Sequence, residues 1–152
     1  MPVEASDDAR HSVAVAGIVF DGRDRVLLMR RRDHGNWEPP GGVLRPGEQP
    51  AEGVAREVHE ETGVEVDVGT LTGVYTNVEL GVVTLAFRAK PRSEPTEESE
   101  EASAVRWVAM REVDRVMDDE YATWVRDGRQ PGLDAVRAQR RTIKGASESP
   151  RR

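Results

Sequence analysis

Between Pro50 and Gly63 the sequence PAEGVAREVHEETG spaces Ala51, Val54, Ala55 and Val58 at i, i+3, i+4 and i+7, the single apolar stripe of an amphipathic helix. Pro50 suits the first turn, where its missing N–H costs nothing, and Gly63 suits the C-terminal cap. At about 100° per residue, Glu57, Glu60 and Glu61 share an arc centred roughly 110° from that stripe. The helix is therefore predicted to bury one side and carry three acids along its flank. Like charges so close on a helix repel and cost stability. Either the flank is a solvated face, with Arg56 and Glu60 paired at i, i+4, or it meets a hard divalent cation, since Mg2+ and Mn2+ favour oxygen ligands. Gly53, on the same arc one turn earlier, leaves room for a ligand or another backbone segment at a cost of about 0.5–1 kcal/mol in helix stability.

The segments around this helix read as strands. HSVAVAGIVF is apolar at odd and even positions, as a strand covered on both faces must be. An Asp-Gly turn in DGRDR and a second apolar run, VLLMR, predict a hairpin over residues 13–30. RRDHGNWEPPGG is a loop rich in turn formers. After the helix, VEVDV alternates as a half-buried strand and LGVVTLAFRA is another strand. PRSEPTEESEEAS, with five glutamates and two prolines, reads as a solvated loop. AVRWVAM returns to strand, and helices are expected at 110–117 and 119–140, interrupted near DGRQPG. Strands on both sides of one central helix, with more helix at the end, predict a mixed sheet with helices on its faces.

The 152 residues, 37% hydrophobic and 33% charged, suit one domain, expected over residues 11–143 between an acidic tail at 1–10 and a polar tail at 144–152. No stretch approaches the roughly 20 apolar residues of a membrane helix, and a basic leader is missing, so no membrane partner and a cytoplasmic location are expected. Zero cysteines removes disulfides, thiolate nucleophiles and cysteine zinc sites. A net charge of −6 argues against a long nucleic acid as partner. A small phosphorylated ligand stays open, because a bound cation or a few local arginines can offset the field.

The stretch PPGGVLRPGEQPAEGVAREVHEETGV decides between the two readings of the acids. Gly42, Glu48, Arg56-Glu57, Val58, Glu60-Glu61, Gly63 and Val64 fall at the spacing G-x5-E-x7-R-E-U-x-E-E-x-G-U, with U a bulky aliphatic residue. Every specified position resembles the signature of the Nudix hydrolase family, and VLLMRRR…WEPPGG before it and EEASAVRWVAMREV after it extend the likeness over residues 12–117. The resemblance implies an α/β (α+β) fold of Nudix type, an α/β/α sandwich with the box helix on one face of a mixed sheet and the C-terminal helices on the other. It also implies hydrolysis of a pyrophosphate bond in a nucleoside diphosphate linked to some group X, with Mg2+ or Mn2+. The expected partner is a small nucleotide or nucleoside-diphosphate derivative, and the expected state is a monomer or homodimer.

Carried onto this sequence, the family's metal positions are Glu57, Glu61 and Glu60, with main chain from Gly41 or Gly42. Arg56 and Glu48 are expected to orient them. Glu57 serves as one candidate general base. Glutamates outside the box are others, and of Glu98, Glu100 and Glu101 the last fits best, just ahead of the strand VRWV. Arg30, Arg31 and Arg32 close the second strand, and alternation puts Arg30 and Arg32 on one face and Arg31 on the other. Arg30 and Arg32 are the expected phosphate contacts, with Trp37 against the substrate. Tyr75 and Trp124 can stack on a base or pack in the core. His34 sits in the loop before Trp37, while His59 is expected in solvent. The proline that marks many ADP-ribose hydrolases is missing, since none occurs between Pro50 and Pro91, and the extended motif of NADH hydrolases is absent. Nucleoside triphosphates are the first choice of substrate, ahead of dinucleoside polyphosphates and nucleotide sugars. A non-catalytic nucleotide sensor on the same fold is the alternative, though its mark would be a damaged box.

Overall fold

The strand β1, Ser12–Val19, is apolar on both faces because both faces are covered. Val15 and Val19 pack with Val54 and Val58 in one cluster, while Ala16 and Ile18 pack with Trp124 and Val125 in another. Successive strand side chains alternate between faces, so β1 separates two layers of core. The computed structural model describes residues 10–130, 132 and 134–140. After β1 come β2, Arg25–Arg31; β3, Trp37–Glu38; β4, Gly41–Val43; α1, Pro50–Thr62; β5, Val66–Asn77; and β6, Val82–Pro91. The chain continues through β7, Ala102–Ala109; a 3-10 turn, Met110–Glu112; α2, Val113–Val116; α3, Asp119–Arg129; and β8, Val136–Gln139. Five strands form a mixed sheet in the order β4-β1-β6-β5-β8, and three form a second sheet, β3-β2-β7. Helix α1 covers one side of β1 and α3 the other, which is the expected mixed α+β arrangement.

Helix α1 spans the predicted residues. Pro50 occupies its first turn, and Gly63 caps it in the left-handed conformation (φ 75°), donating its N–H to the His59 carbonyl. Only a residue without Cβ adopts that φ at no cost. Val54 and Val58 are fully buried and the helix sits directly against β1.

Two expectations need correction. The turn after β1 forms, with Asp21 Oδ1 accepting the N–H groups of Arg23 at 2.8 Å and Arg25 at 3.0 Å. Its arms do not run on as a hairpin, however: beyond one bridge between Phe20 and Val26, β2 leaves to pair with β3 and β7. An Asp-Gly turn specifies a reversal, not the next partner, and strands apolar on both faces are satisfied only where two layers sandwich them. The helix expected over 119–140 breaks at Arg129, within the expected interruption at DGRQPG, but does not resume as helix. Gly132, at φ 110°, turns the chain, and residues 136–139 run parallel to β5 as a short edge strand. The expected tails at 1–10 and 144–152 lie outside the described residues, Arg10 apart. Among the described residues no helix is long and apolar enough to cross a membrane.

Candidate active site

The stripe of α1 fixes the helix against β1, and this turns its acidic flank toward the loop before the helix. Arg56 organises that flank. Its Nε and Nη2 grip Glu48 at 2.7 and 3.0 Å, and its Nη1 reaches Glu57 at 2.8 Å and Glu60 at 3.3 Å. Bidentate guanidinium–carboxylate bonds are the strongest of the charge-assisted kind. The bonds from Arg56, with the Arg45 N–H, hold the Glu48 carboxyl down at about 2. Glu60 is half exposed and also lies 3.6 Å from Arg45.

Glu61 is different. It is 2% exposed, and its Oε1 accepts the Gly41 N–H at 2.8 Å. Its Oε2 is buried with no hydrogen-bond partner; the nearest cation is Arg31 Nη1 at 3.8 Å. Burial, reinforced by the neighbouring Glu57 and Glu101 carboxylates and opposed by the Gly41 bond, pushes the Glu61 carboxyl up to about 9. Such a group seeks either a proton or a cation.

Gly41 and Gly42 stand against both glutamates. A Cβ on Gly42 would lie 2.7 Å from Glu57 Oε1, so a side chain there would close the gap. As they stand, no three acid or histidine side chains among the described residues converge on one point, and Glu57 is bonded to Arg56. The donor set still fits a hard divalent ion. Hard ions take carboxylate and main-chain oxygens, and an orphaned buried oxygen of Glu61 lies within the influence of Glu57.

Arg31, of the three adjacent arginines, is the one beside this cluster. It bonds Asp33 at 3.0 Å and lies 3.4 Å from Glu101 and 3.9 Å from Glu38. Those bonds, Asp33 first, raise its pKa further. Arg30 instead donates to the Gly35 carbonyl at 2.9 Å, and Arg32 reaches Glu98 at 3.1 Å. Neither lines the cleft described below, and nor does Trp37, which is 2% exposed within the core. A register shift between Arg30 and Arg31 breaks the simple alternation just where the arginines sit. Glu101 is exposed, one residue ahead of β7, while Glu98 is drawn off by Arg32. His59 is in solvent, as expected.

A cleft of about 330 Å³ opens beside the acids. Arg31, His34, Gly41 and Gly42 border it on the side of the cluster, and Asn77, Tyr121 and Trp124 line it too. Trp124 stacks on Tyr75 with ring centroids 5.2 Å apart and meets the edge of Tyr121 at 4.8 Å. Tyr75 is 1% exposed, so of the candidate aromatics Trp124 faces the cleft and Tyr75 supports it from behind. The sequence reading missed Tyr121 and Asn77. Tyr121 and Trp124 are i, i+3 on α3, a spacing that marks one helix face.

A sheet sandwiched between α1 and α3, with an acidic helix flank behind Gly41 and Gly42 at the border of a cleft, defines the class. The chain belongs to the Nudix family: the NUDIX domain profile matches residues 10–128. It is a hydrolase acting on phosphoanhydride bonds. It is 50% identical over 121 residues to a MutT-like protein of Streptomyces ambofaciens, covering 80% of this chain and 79% of that one. It is 39% identical over 69 residues, 43% of this chain and 40% of the relative, to the ADP-ribose pyrophosphatase of Methanocaldococcus jannaschii. Among solved structures it is similar to a MutT protein of Methanosarcina mazei Go1, with a TM-score of 0.70 and 27% identity over 82% of this chain and 97% of the other. A NUDIX hydrolase of Nitrosomonas europaea superposes with a TM-score of 0.74 at 24% identity, over 86% of this chain and 80% of that one, a likeness of fold.

Proposed function

We propose that the chain cleaves a pyrophosphate bond in a nucleoside diphosphate linked to a group X, using Mg2+ or Mn2+, with nucleoside triphosphates preferred. The observation that carries this reading is Glu61: a buried carboxyl with one oxygen fixed by Gly41 and the other without a partner, beside Glu57 and at the edge of a cleft. A buried acid of this kind is costly unless charge of the opposite sign compensates it. A divalent ion held by Glu57 and Glu61, with Glu60 and the main chain at Gly41–Gly42, would neutralise the polyphosphate and polarise a phosphoryl oxygen.

The chain's own residues do the rest. Arg56 and Glu48 fix the direction of Glu57, since ligating carboxylates need partners to hold them. Arg31 presents a guanidinium to a phosphate entering the cleft, giving up part of its contact with Glu101 and Asp33. Glu101, thus released, is placed to accept a proton from the attacking water, with Glu57 as the other candidate base. Tyr121 and Trp124 receive the planar base at the far side. The partner is a small molecule and no long nucleic acid, the site of action is the cytoplasm, and the protein acts as a monomer or homodimer built on a domain over residues 11–143.

The test is product analysis over a panel of nucleoside triphosphates, dinucleoside polyphosphates, nucleotide sugars and ADP-ribose with Mg2+, with and without a chelator. Cleavage to a mononucleotide or released phosphates, abolished by chelation, is expected. Undiminished turnover after thorough chelation overturns the metal reading, and tight binding without cleavage of any nucleotide makes the protein a sensor.

A further inference from the structure

β8 is a strand without a core. All four of its residues are exposed or only half-buried, and Val136 is 76% exposed, so the strand adds almost nothing to the hydrophobic interior. What it contributes is polar and directed at α3. Arg137 and Gln139, two apart and so on one face, stand beside Tyr75 and Asn77 of β5 in the strand register. Arg137 grips Asp127 at 2.9 and 2.8 Å, and Asp127 in turn accepts the Tyr75 hydroxyl at 2.7 Å. Gln139 Oε1 accepts the indole N–H of Trp124 at 2.9 Å, while its Nε2 donates to the Glu120 carbonyl at 3.4 Å.

Trp124 is thereby held from several directions: stacked on Tyr75, met by the edge of Tyr121, and bonded through its nitrogen to Gln139. The indole's only donor is used up, so the edge of the ring that reaches the cleft, with the residue 7% exposed, has no hydrogen bond left to give. Rings locked by packing and outer hydrogen bonds discriminate better than mobile ones. We propose that β8 is a specificity strand. Gln139, backed by Arg137, fixes the Trp124–Tyr121 wall in the orientation that accepts a planar nucleobase, and so sets affinity for the nucleoside end of the substrate without touching its phosphates. Gln139 is a positioning residue, acting through Trp124. The inference rests on the nucleotide hydrolase reading above and names its aromatic selectivity.

The experiment uses the full chain with Gln139→Met, which keeps length but removes the acceptor, and Gln139→Glu, which keeps the acceptor. KM and kcat are measured for a nucleoside triphosphate with Mg2+, and inorganic tripolyphosphate serves as a base-free competitor. Losing the Trp124–Gln139 hydrogen bond, with the longer one to the Glu120 carbonyl, should raise the nucleotide KM about fivefold in Gln139→Met, with kcat and the tripolyphosphate inhibition constant unchanged. In Gln139→Glu the ratio of nucleotide KM to tripolyphosphate inhibition constant should return toward wild type, since the ratio cancels the effect of the added charge on the phosphates. An unchanged KM in Gln139→Met, a parallel rise for tripolyphosphate, or no recovery of that ratio in Gln139→Glu overturns the inference while the hydrolase reading stands. A wild-type chain that neither cleaves nor binds any nucleotide removes both.

Discussion

Two carboxylate clusters lie on opposite sides of β1, and they are assembled on different terms. On the α3 side, Asp127 takes two bonds from Arg137 and one from Tyr75. Burial would raise this acid, but the Arg137 and Tyr75 bonds outweigh burial and hold it below the usual carboxylate range. On the α1 side, Arg56 is shared among Glu48, Glu57 and Glu60, and Glu61 is left with one backbone N–H and a pKa pushed up to about 9. The first cluster is complete as folded and contributes stability. The second is unfinished, and on the proposed reading a divalent ion would complete it.

The sharpest way to break the contrast is to neutralise one acid in each cluster. Glu57→Gln and Glu61→Gln should each lower turnover by more than about a hundredfold, beyond what outer partners of a metal site usually cost, and neither should lower the melting temperature. For Glu61→Gln it should rise at neutral pH, because folding must hold this carboxyl protonated well above its unfolded pKa, a cost the amide does not carry. Near-normal kcat in either variant takes that residue out of the site. Asp127→Ala should do the reverse, costing roughly 2–3 kcal/mol of stability through the unpaired Tyr75 hydroxyl and Arg137, with kcat little changed.

The pH dependence of that loss has a definite sign. Since the folded pKa of Asp127 is lowered, its contribution is present above the unfolded value of about 3.9 and vanishes as pH falls through the lower folded value. Denaturant titrations should therefore show wild type and Asp127→Ala separated at neutral pH and converging in acid. A gap that holds constant down to the acid limit would show that packing, not charge, supplies the difference. The smallest effect is expected at Glu101, which is 57% exposed at the edge of the acidic group. Glu101→Gln should lower kcat about tenfold, less than the roughly hundredfold or more usual for a sole general base, because Glu57 is the other candidate base. An unchanged pH–rate profile would leave proton removal to Glu57.

How much of this was legible before the structure depends on how local the determinant is. Helix α1, its proline start, its glycine cap and its acidic flank follow from one window of residues, because period and capping act over a few bonds. The burial of β1 on both faces was legible too, but not that β2 abandons it, since partner choice is settled by layers formed far along the chain. Among the arginines, alternation separates Arg31 from Arg30 and Arg32 without saying which face meets Glu61. The register shift at that point then makes the spacing unreliable. β8 falls inside the helix expected over 119–140, past the interruption at DGRQPG. Its place is dictated by side-chain bonds to Asp127 and Trp124, which leave no mark in periodicity. Family resemblance supplied the roles of Glu57, Glu60 and Glu61. It had nothing to say about Tyr121 or Gln139.

One strand two layers deep has a further consequence. With Val15 and Val19 serving the helix of acids and Ala16 and Ile18 serving the aromatic helix, the proposed machinery for breaking a bond and the proposed surface for choosing a guest share a partition but few side chains. Redesign of the guest surface through α3 and β8 leaves the reacting groups in register. A slip of β1 by a single residue, by contrast, would exchange its two faces and dismantle both halves together.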